Sequence, residues 1–158
     1  MNIRKIQPTD NLRMAAIVRK VIVEMGAPKI GTAYEDKALD DLFATYNKER
    51  AAYFVIEDQS EIVGGAGIAH LPNEGVTVCE LQKMYFLSTV RGKGYGMKMM
   101  ETCLSAAREF GFSKCYIETM PYMTDAQKLY KKAGFYYIDA PMGNTGHYSC
   151  PVWMLKDL

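Results

Sequence analysis

The sequence predicts a mixed α/β fold of the α+β kind: a central, mostly antiparallel sheet with helices on both faces, as one domain over residues 1–158. Two apolar runs, 51–58 and 61–71, are parted by the turn-prone Asp-Gln-Ser-Glu and predict an antiparallel hairpin. A third run, 76–89, feeds a glycine-rich turn, a helical pattern and another apolar strand, which makes a single β-α-β crossover. The 158 residues, about half of them apolar, are enough for one core, and no linker or repeat divides them.

In order along the chain, Asn-Ile-Arg-Lys-Ile-Gln reads as a short strand stopped by Pro8. Thr9 or Asp10 caps a helix whose apolar stripe is read as Leu12, Ala15, Ala16, Arg19, Val21, Ile22 and Met25, ended by Gly26. After a Pro/Gly loop, Leu39, Leu42, Phe43 and Tyr46 predict a second helix over 36–49. The three strands already described follow. A helix over 94–110 then presents Met97, Met100, Leu104, Ala107 and Phe110, and Gly111 closes it. Lys-Cys-Tyr-Ile-Glu-Thr-Met is a buried strand, and 124–135 is a short helix with Ala126, Leu129, Tyr130 and Ala133 on one side. Residues 135–140 and 150–158 read as two final strands around a loop containing His147 and Tyr148.

Nineteen basic against eighteen acidic residues leave a net charge of +1, which argues against a nucleic-acid partner. No apolar stretch approaches the roughly 18 residues a membrane span needs, and the N-terminus has no apolar leader, so no membrane partner and a cytoplasmic location are expected. The four cysteines are far apart, without metal-ligand spacing, so no metal is expected and the thiols are read as free.

The segment Val-Arg-Gly-Lys-Gly-Tyr-Gly-Met-Lys, residues 90–98, carries the chemistry. A strand, a glycine turn and a helix start expose backbone N–H groups at the positive end of the helix dipole, which favours an anion. Arg91, Lys93 and Lys98 add three positive charges with no acid among them. A P-loop is excluded because no Ser or Thr follows the lysine. A dinucleotide fingerprint would use Gly92, Gly94 and an acid such as Glu118, but Met97 stands where it needs glycine and only one crossover is present.

Arg-Gly-Lys-Gly-Tyr-Gly (91–96) and Ala-Gln-Lys-Leu-Tyr-Lys-Lys-Ala-Gly-Phe (126–135) together resemble the GNAT superfamily of acetyl-CoA-dependent N-acetyltransferases, and the element order is similar along essentially the whole chain. The resemblance implies acetyl-CoA as co-substrate. Its pyrophosphate would rest on the loop of Arg91, Gly92, Lys93, Gly94, Tyr95 and Gly96, and its pantetheine arm would pair with Tyr85, Phe86 and Leu87. Tyr130 would stand near the sulfur as the acid for the departing thiolate. Two positions depart from the family pattern: Met123, where asparagine is common, and Leu-Ser-Thr-Val (87–90), where a proline is common.

Glu80 is the candidate base. It lies at a position where the family often carries a catalytic glutamate, and strand parity sets it on one face with Gln82, Met84 and Phe86. A backbone N–H near Tyr85 is the expected oxyanion donor. Glu118, His147 and Tyr148 are candidate acceptor-binding residues, with structural roles for Glu118 and His147 kept alongside. The reading expects direct acetyl transfer in a ternary complex to a primary amine, on a small molecule or a peptide; a homodimer is compatible with it. A transferase for a longer acyl group and a non-catalytic CoA-binding module are the alternatives, and a dinucleotide oxidoreductase stands last.

Overall fold

The protein is described by a computed structural model covering residues 1–158. Its strands are β1 (Asn2–Lys5), β2 (Ala52–Asp58), β3 (Glu61–His70), β4 (Val78–Phe86), β5 (Lys114–Thr119), β6 (Tyr136–Ile138) and β7 (Val152–Asp157). They form one sheet in the order β1-β2-β3-β4-β5-β7-β6, antiparallel everywhere except between β4 and β5. The mixed, mostly antiparallel sheet is thus as the sequence predicts. Helices α1 (Asn11–Glu24) and α2 (Leu42–Tyr46) cover one face, and α3 (Tyr95–Glu109) and α4 (Thr124–Lys132) cover the other.

Three details differ from the periodicity reading. The helix expected over 36–49 is a 3-10 segment, Lys37–Asp41, followed by the five-residue α2. Asp41 causes the break, because its side chain accepts from the Ala44 amide and caps a new helix there. In α1 the buried stripe is Met14, Ile17, Val18, Val21 and Ile22, while Leu12 is 85% exposed. In α3 the buried face is centred on Met99, Met100, Cys103 and Leu104. Helical period alone leaves the phase of such stripes open when both flanks carry apolar residues; packing against the sheet sets it.

Two features of the sheet build the site. First, β4 and β5 pair only at Val78–Lys114, Cys79–Cys115 and Glu80–Tyr116. Beyond Glu80 the strands part, leaving a wedge-shaped gap in the sheet. Second, β4 carries a bulge. Gly65 faces Tyr85 but Gly67 faces Gln82, so β4 holds one extra residue there, and Lys83 adopts a φ of 51°.

The bulge overturns the parity reading of β4. Glu80 and Gln82 do share a face, but the inserted residue moves Met84 and Phe86 to the opposite one, among the residues that contact α3. The glycines of β3 make room on the α1 side. A Cβ on Gly65 would lie 2.6 Å from the Tyr53 ring, and one on Gly67 2.7 Å from that of Tyr46. The two tyrosines, 5.1 Å apart between ring centroids, therefore lie close against the strand and reach across it to β4. Tyr53 donates from its hydroxyl to the Lys83 carbonyl at 2.8 Å, and Tyr46 to Gln82 Oε1 at 2.7 Å.

Candidate active site

A cleft opens at the wedge and is lined from α1, β4, β5, α4 and the loop after β6. Glu80 lies where the strands part, 4% exposed. Burial pushes its carboxyl up to about 7, against the opposing effect of the Gln82 amide, which donates to Oε2 at 2.6 Å. The order Tyr46–Gln82–Glu80 fixes the amide orientation: the tyrosine hydroxyl occupies Gln82 Oε1, so the NH2 end faces the carboxylate. Glu80 Oε1 receives no hydrogen bond from the protein, and no side-chain oxygen in the molecule is both sealed off and unpartnered, so Oε1 opens to the cleft.

Tyr130, on α4, lines the same cleft from the other face of the sheet. It is 7% exposed, its hydroxyl has no protein partner, and burial pushes it up to about 12. The phenol therefore stays protonated at neutral pH and is free to donate. Cys150 is the one cysteine lining the cleft, and burial together with nearby Glu118 pushes its thiol up to about 12. A thiol held protonated is a poor nucleophile.

Glu118 and His147 both line the cleft, whereas Tyr148 is 76% exposed and packs over Gly31 outside it. Glu118 accepts from the Tyr116 hydroxyl at 2.8 Å and from Thr145 Oγ1 at 2.6 Å. One ligand atom each of Glu80, Glu118 and His147 lies within 4.8 Å of the others. His147 Nε2 meets Asp36 Oδ2 at 3.0 Å, and Lys83 Nζ meets the same oxygen at 2.7 Å. Burial alone would lower the His147 pKa, but Asp36 overrides it and raises it. Burial would likewise raise Asp36, but His147 and Lys83 hold it down at about 2.

Sequence reasoning missed Asp36, Lys83, Gln82 and Tyr46 as members of this site. Gln82 and Lys83 were marked only by polarity on an otherwise apolar strand, Asp36 in a loop and Tyr46 on α2 carried no mark, and they meet through contacts such as that of His147 with Asp36, 111 residues away in sequence. Replacing Asp36 with asparagine is expected to lower stability by about 2–4 kcal/mol, because Lys83, 7% exposed, loses its charge partner. The sign with pH follows from the depressed carboxyl. Its stabilisation is present above the ordinary 3.8 and lost as pH falls toward about 2, so the gap in Tm between wild type and Asp36→Asn should close over that range. An equal gap at pH 7 and pH 2 would remove the ion pair as its cause.

At the far end of the cleft, the main chain of β4 runs into the glycine turn. The Leu87 amide donates to the Val63 carbonyl at 2.9 Å, so alternation turns the main chain of Tyr85 toward β3 and that of Phe86 toward the gap. Arg91 also lines the cleft and its Nε donates to the Phe86 carbonyl at 3.0 Å. Gly92 (φ 74°) and Gly94 (φ 81°) are left-handed, and a Cβ on either would point into open space, so handedness rather than crowding demands glycine there. Gly96 differs: a Cβ would meet Leu129 of α4 at 3.0 Å. Lys93 and Tyr95 complete the turn, and the amides of residues 92–97 find no acceptor in the protein. Residues 92–97 therefore present a row of bare donors at the start of α3, which suits a polyanionic group.

A sheet splayed beside a row of bare amides at a helix start defines the class. The profile described as the Acetyltransferase (GNAT) family matches residues 21–135, and the chain belongs to that family. It is 43% identical over 157 residues to YjgM, an uncharacterized N-acetyltransferase of Escherichia coli strain K12, covering 98% of this chain and 93% of that one. A GNAT-family acetyltransferase of Staphylococcus aureus Mu50 superposes with a TM-score of 0.87 at 19% identity, over 99% and 98% of the two chains. An aminoglycoside 6'-N-acetyltransferase complexed with coenzyme A superposes with a TM-score of 0.71 at 16% identity, over 99% and 97%.

Proposed function

We propose that the protein transfers acetyl from acetyl-CoA to a primary amine by direct attack in a ternary complex. The observation that carries this reading is the pairing, in one cleft, of a carboxyl poised near pH 7 with an unpartnered, protonated phenol. The donors of residues 92–97, with Arg91, Lys93 and Lys98 beside them, fit the pyrophosphate of the co-substrate, and the gap-facing main chain of Phe86 fits its amide-bearing arm.

Bound acetyl-CoA supplies an activated thioester. Glu80 Oε1 takes a proton from the incoming ammonium and so frees the lone pair that attacks the acetyl carbon. Gln82 Nε2 stabilises Glu80 in the ionised form needed for that step. The Tyr130 hydroxyl gives its proton to the sulfur as the carbon–sulfur bond breaks. The high pKa of Cys150 weighs against a cysteine acyl-enzyme and supports direct attack.

Two measurements test this. Acetyl-CoA at a hundredfold excess over its Kd should stabilise the fold by about 2.7 kcal/mol, seen as a higher Tm, with no comparable shift from NADH. Equal stabilisation by NADH would remove the acyl-CoA reading. Thiol release from acetyl-CoA across a panel of amines tests the transfer itself, and its absence with every amine would leave a binding module in place of a transferase.

A further inference from the structure

We infer that the acceptor is a primary amine on an apolar body, bound as its ammonium ion between Glu80 and Glu118, and that the site rejects amines carrying a neighbouring carboxylate. The inference rests on the transferase reading and names its substrate class.

Charge accounting around the cleft carries it. The basic residues lining the cleft are Lys83, Arg91 and His147. Lys83 and His147 are both spent on Asp36, and Arg91 is engaged by the Phe86 carbonyl and lies 4.0 Å from Glu24 at the glycine-turn end. Glu80 and Glu118 have no ion-pair partner: Glu80 has one amide donor and Glu118 two hydroxyl donors. Glu80, Glu118 and a ring nitrogen of His147 lie within 4.8 Å of one another, but that imidazole is already paired with Asp36 at 3.0 Å, so the two carboxyl groups still exceed the positive charge available to them and are matched to a further cation.

Glu80 adds an observation independent of charge count: the residue is 4% exposed, and its Oε1, with no donor from the protein, keeps its accessible surface toward the cleft. Glu118 is set in advance. Its Tyr116 partner is itself tied to the Met142 amide at 3.3 Å, and its Thr145 partner to the His147 amide at 3.1 Å. The loop after β6 thus holds the carboxylate in one rotamer, facing the wedge, without neutralising it. Most of the remaining lining is apolar, including Val21, Ile22, Met25 and Met120, which suits a hydrocarbon body.

Proton balance agrees with this role. The ammonium arrives with three protons: Glu80 Oε1 takes one and later passes it to solvent, the amide keeps one, and the third, lost as the carbon–sulfur bond breaks, restores the Tyr130 hydroxyl whose proton has gone to the sulfur. Glu118 exchanges no proton in the step and holds the ammonium beside the base. An α-carboxylate on the acceptor would meet Glu118 with no free cation to receive it, and like charges so placed are strongly rejected.

The test compares phenethylamine with phenylalanine, which differ by that carboxylate alone, and uses phenylalaninamide as the control for bulk. Isothermal titration calorimetry of the CoA-loaded protein and thiol release with acetyl-CoA are both read. Phenethylamine is expected to bind and to show a kcat/KM at least roughly 30-fold above that of phenylalanine, with the amide well above the acid. Glu118→Gln, checked for unchanged Tm and acetyl-CoA affinity, should weaken phenethylamine binding at least roughly tenfold and narrow that preference. Absence of thiol release would defeat the transferase reading alone, since calorimetry still decides the inference. Equal binding or turnover of phenylalanine, no binding by phenethylamine, or an undiminished preference in Glu118→Gln would overturn it.

Discussion

Tyr130→Phe is expected to lower kcat roughly 10²–10³-fold while leaving acetyl-CoA affinity nearly unchanged. The hydroxyl has no partner in the protein, so its removal breaks no existing hydrogen bond, and the ring still packs 6.2 Å from Phe135 between centroids. Stability should therefore stay within about 0.5 kcal/mol of wild type. Under the proposed mechanism the loss belongs to the transition state, where the departing sulfur gains charge and the phenol, held near 12 by burial, donates its proton. Calorimetry for acetyl-CoA and steady-state rates for the amine separate the two effects. Unchanged turnover would take the acid role away from Tyr130.

Glu80→Gln carries the second large effect, a fall in kcat/KM of roughly 10²–10⁴-fold near pH 8. In the wild type kcat/KM should fall on the acid side with a midpoint near pH 7, where the carboxyl becomes protonated. In the variant that limb should vanish and the rate should instead track the fraction of free amine in solution. Gln82→Met keeps the base but removes the amide that stabilises its ionised form, so its limb should move to higher pH. A wild-type limb retained in Glu80→Gln would assign the base elsewhere.

The same residue makes a stability prediction of opposite sense. A carboxyl raised from an ordinary 4.5 to about 7 favours the folded state fully below pH 4.5, and that contribution is lost as pH rises through 7. On the alkaline side ionised Glu80 costs on the order of 3 kcal/mol, so Glu80→Gln should have a higher Tm than wild type at pH 8. At pH 4.5 the two should nearly coincide. Reduced activity joined to raised stability is the expected signature of a strained functional group rather than a packing residue.

The hairpin of β2 and β3, the crossover through α3 and the glycine turn were all legible in the amino acids. Each is announced by local chemistry: alternation for the hairpin, a helix bounded by Gly94 and Gly111, and glycines at positions where the backbone turns left-handed. Less legible was everything that depends on a shift of register. Parity set Glu80 beside Met84 and Phe86, and the bulge at Lys83 undid this, because one inserted residue inverts every side chain beyond it and leaves no mark in residue type. The placement of β7 between β5 and β6 is of the same kind, since strand order is set by which edges are free when the last segment arrives.

For the site, the sequence by itself marked the glycine turn as a candidate anion site, because glycines between a strand and a helix are a local property, and the family resemblance of two segments marked Glu80 and Tyr130 as candidates. Only the tertiary structure decided that Glu80 is buried to a pKa of about 7, that Gln82 and Tyr46 orient it, and that Asp36 consumes Lys83 and His147. Those are matters of desolvation and of charges meeting across more than a hundred residues. Both exist only once the sheet has split at Glu80 and the loop after β6 has folded over the opening.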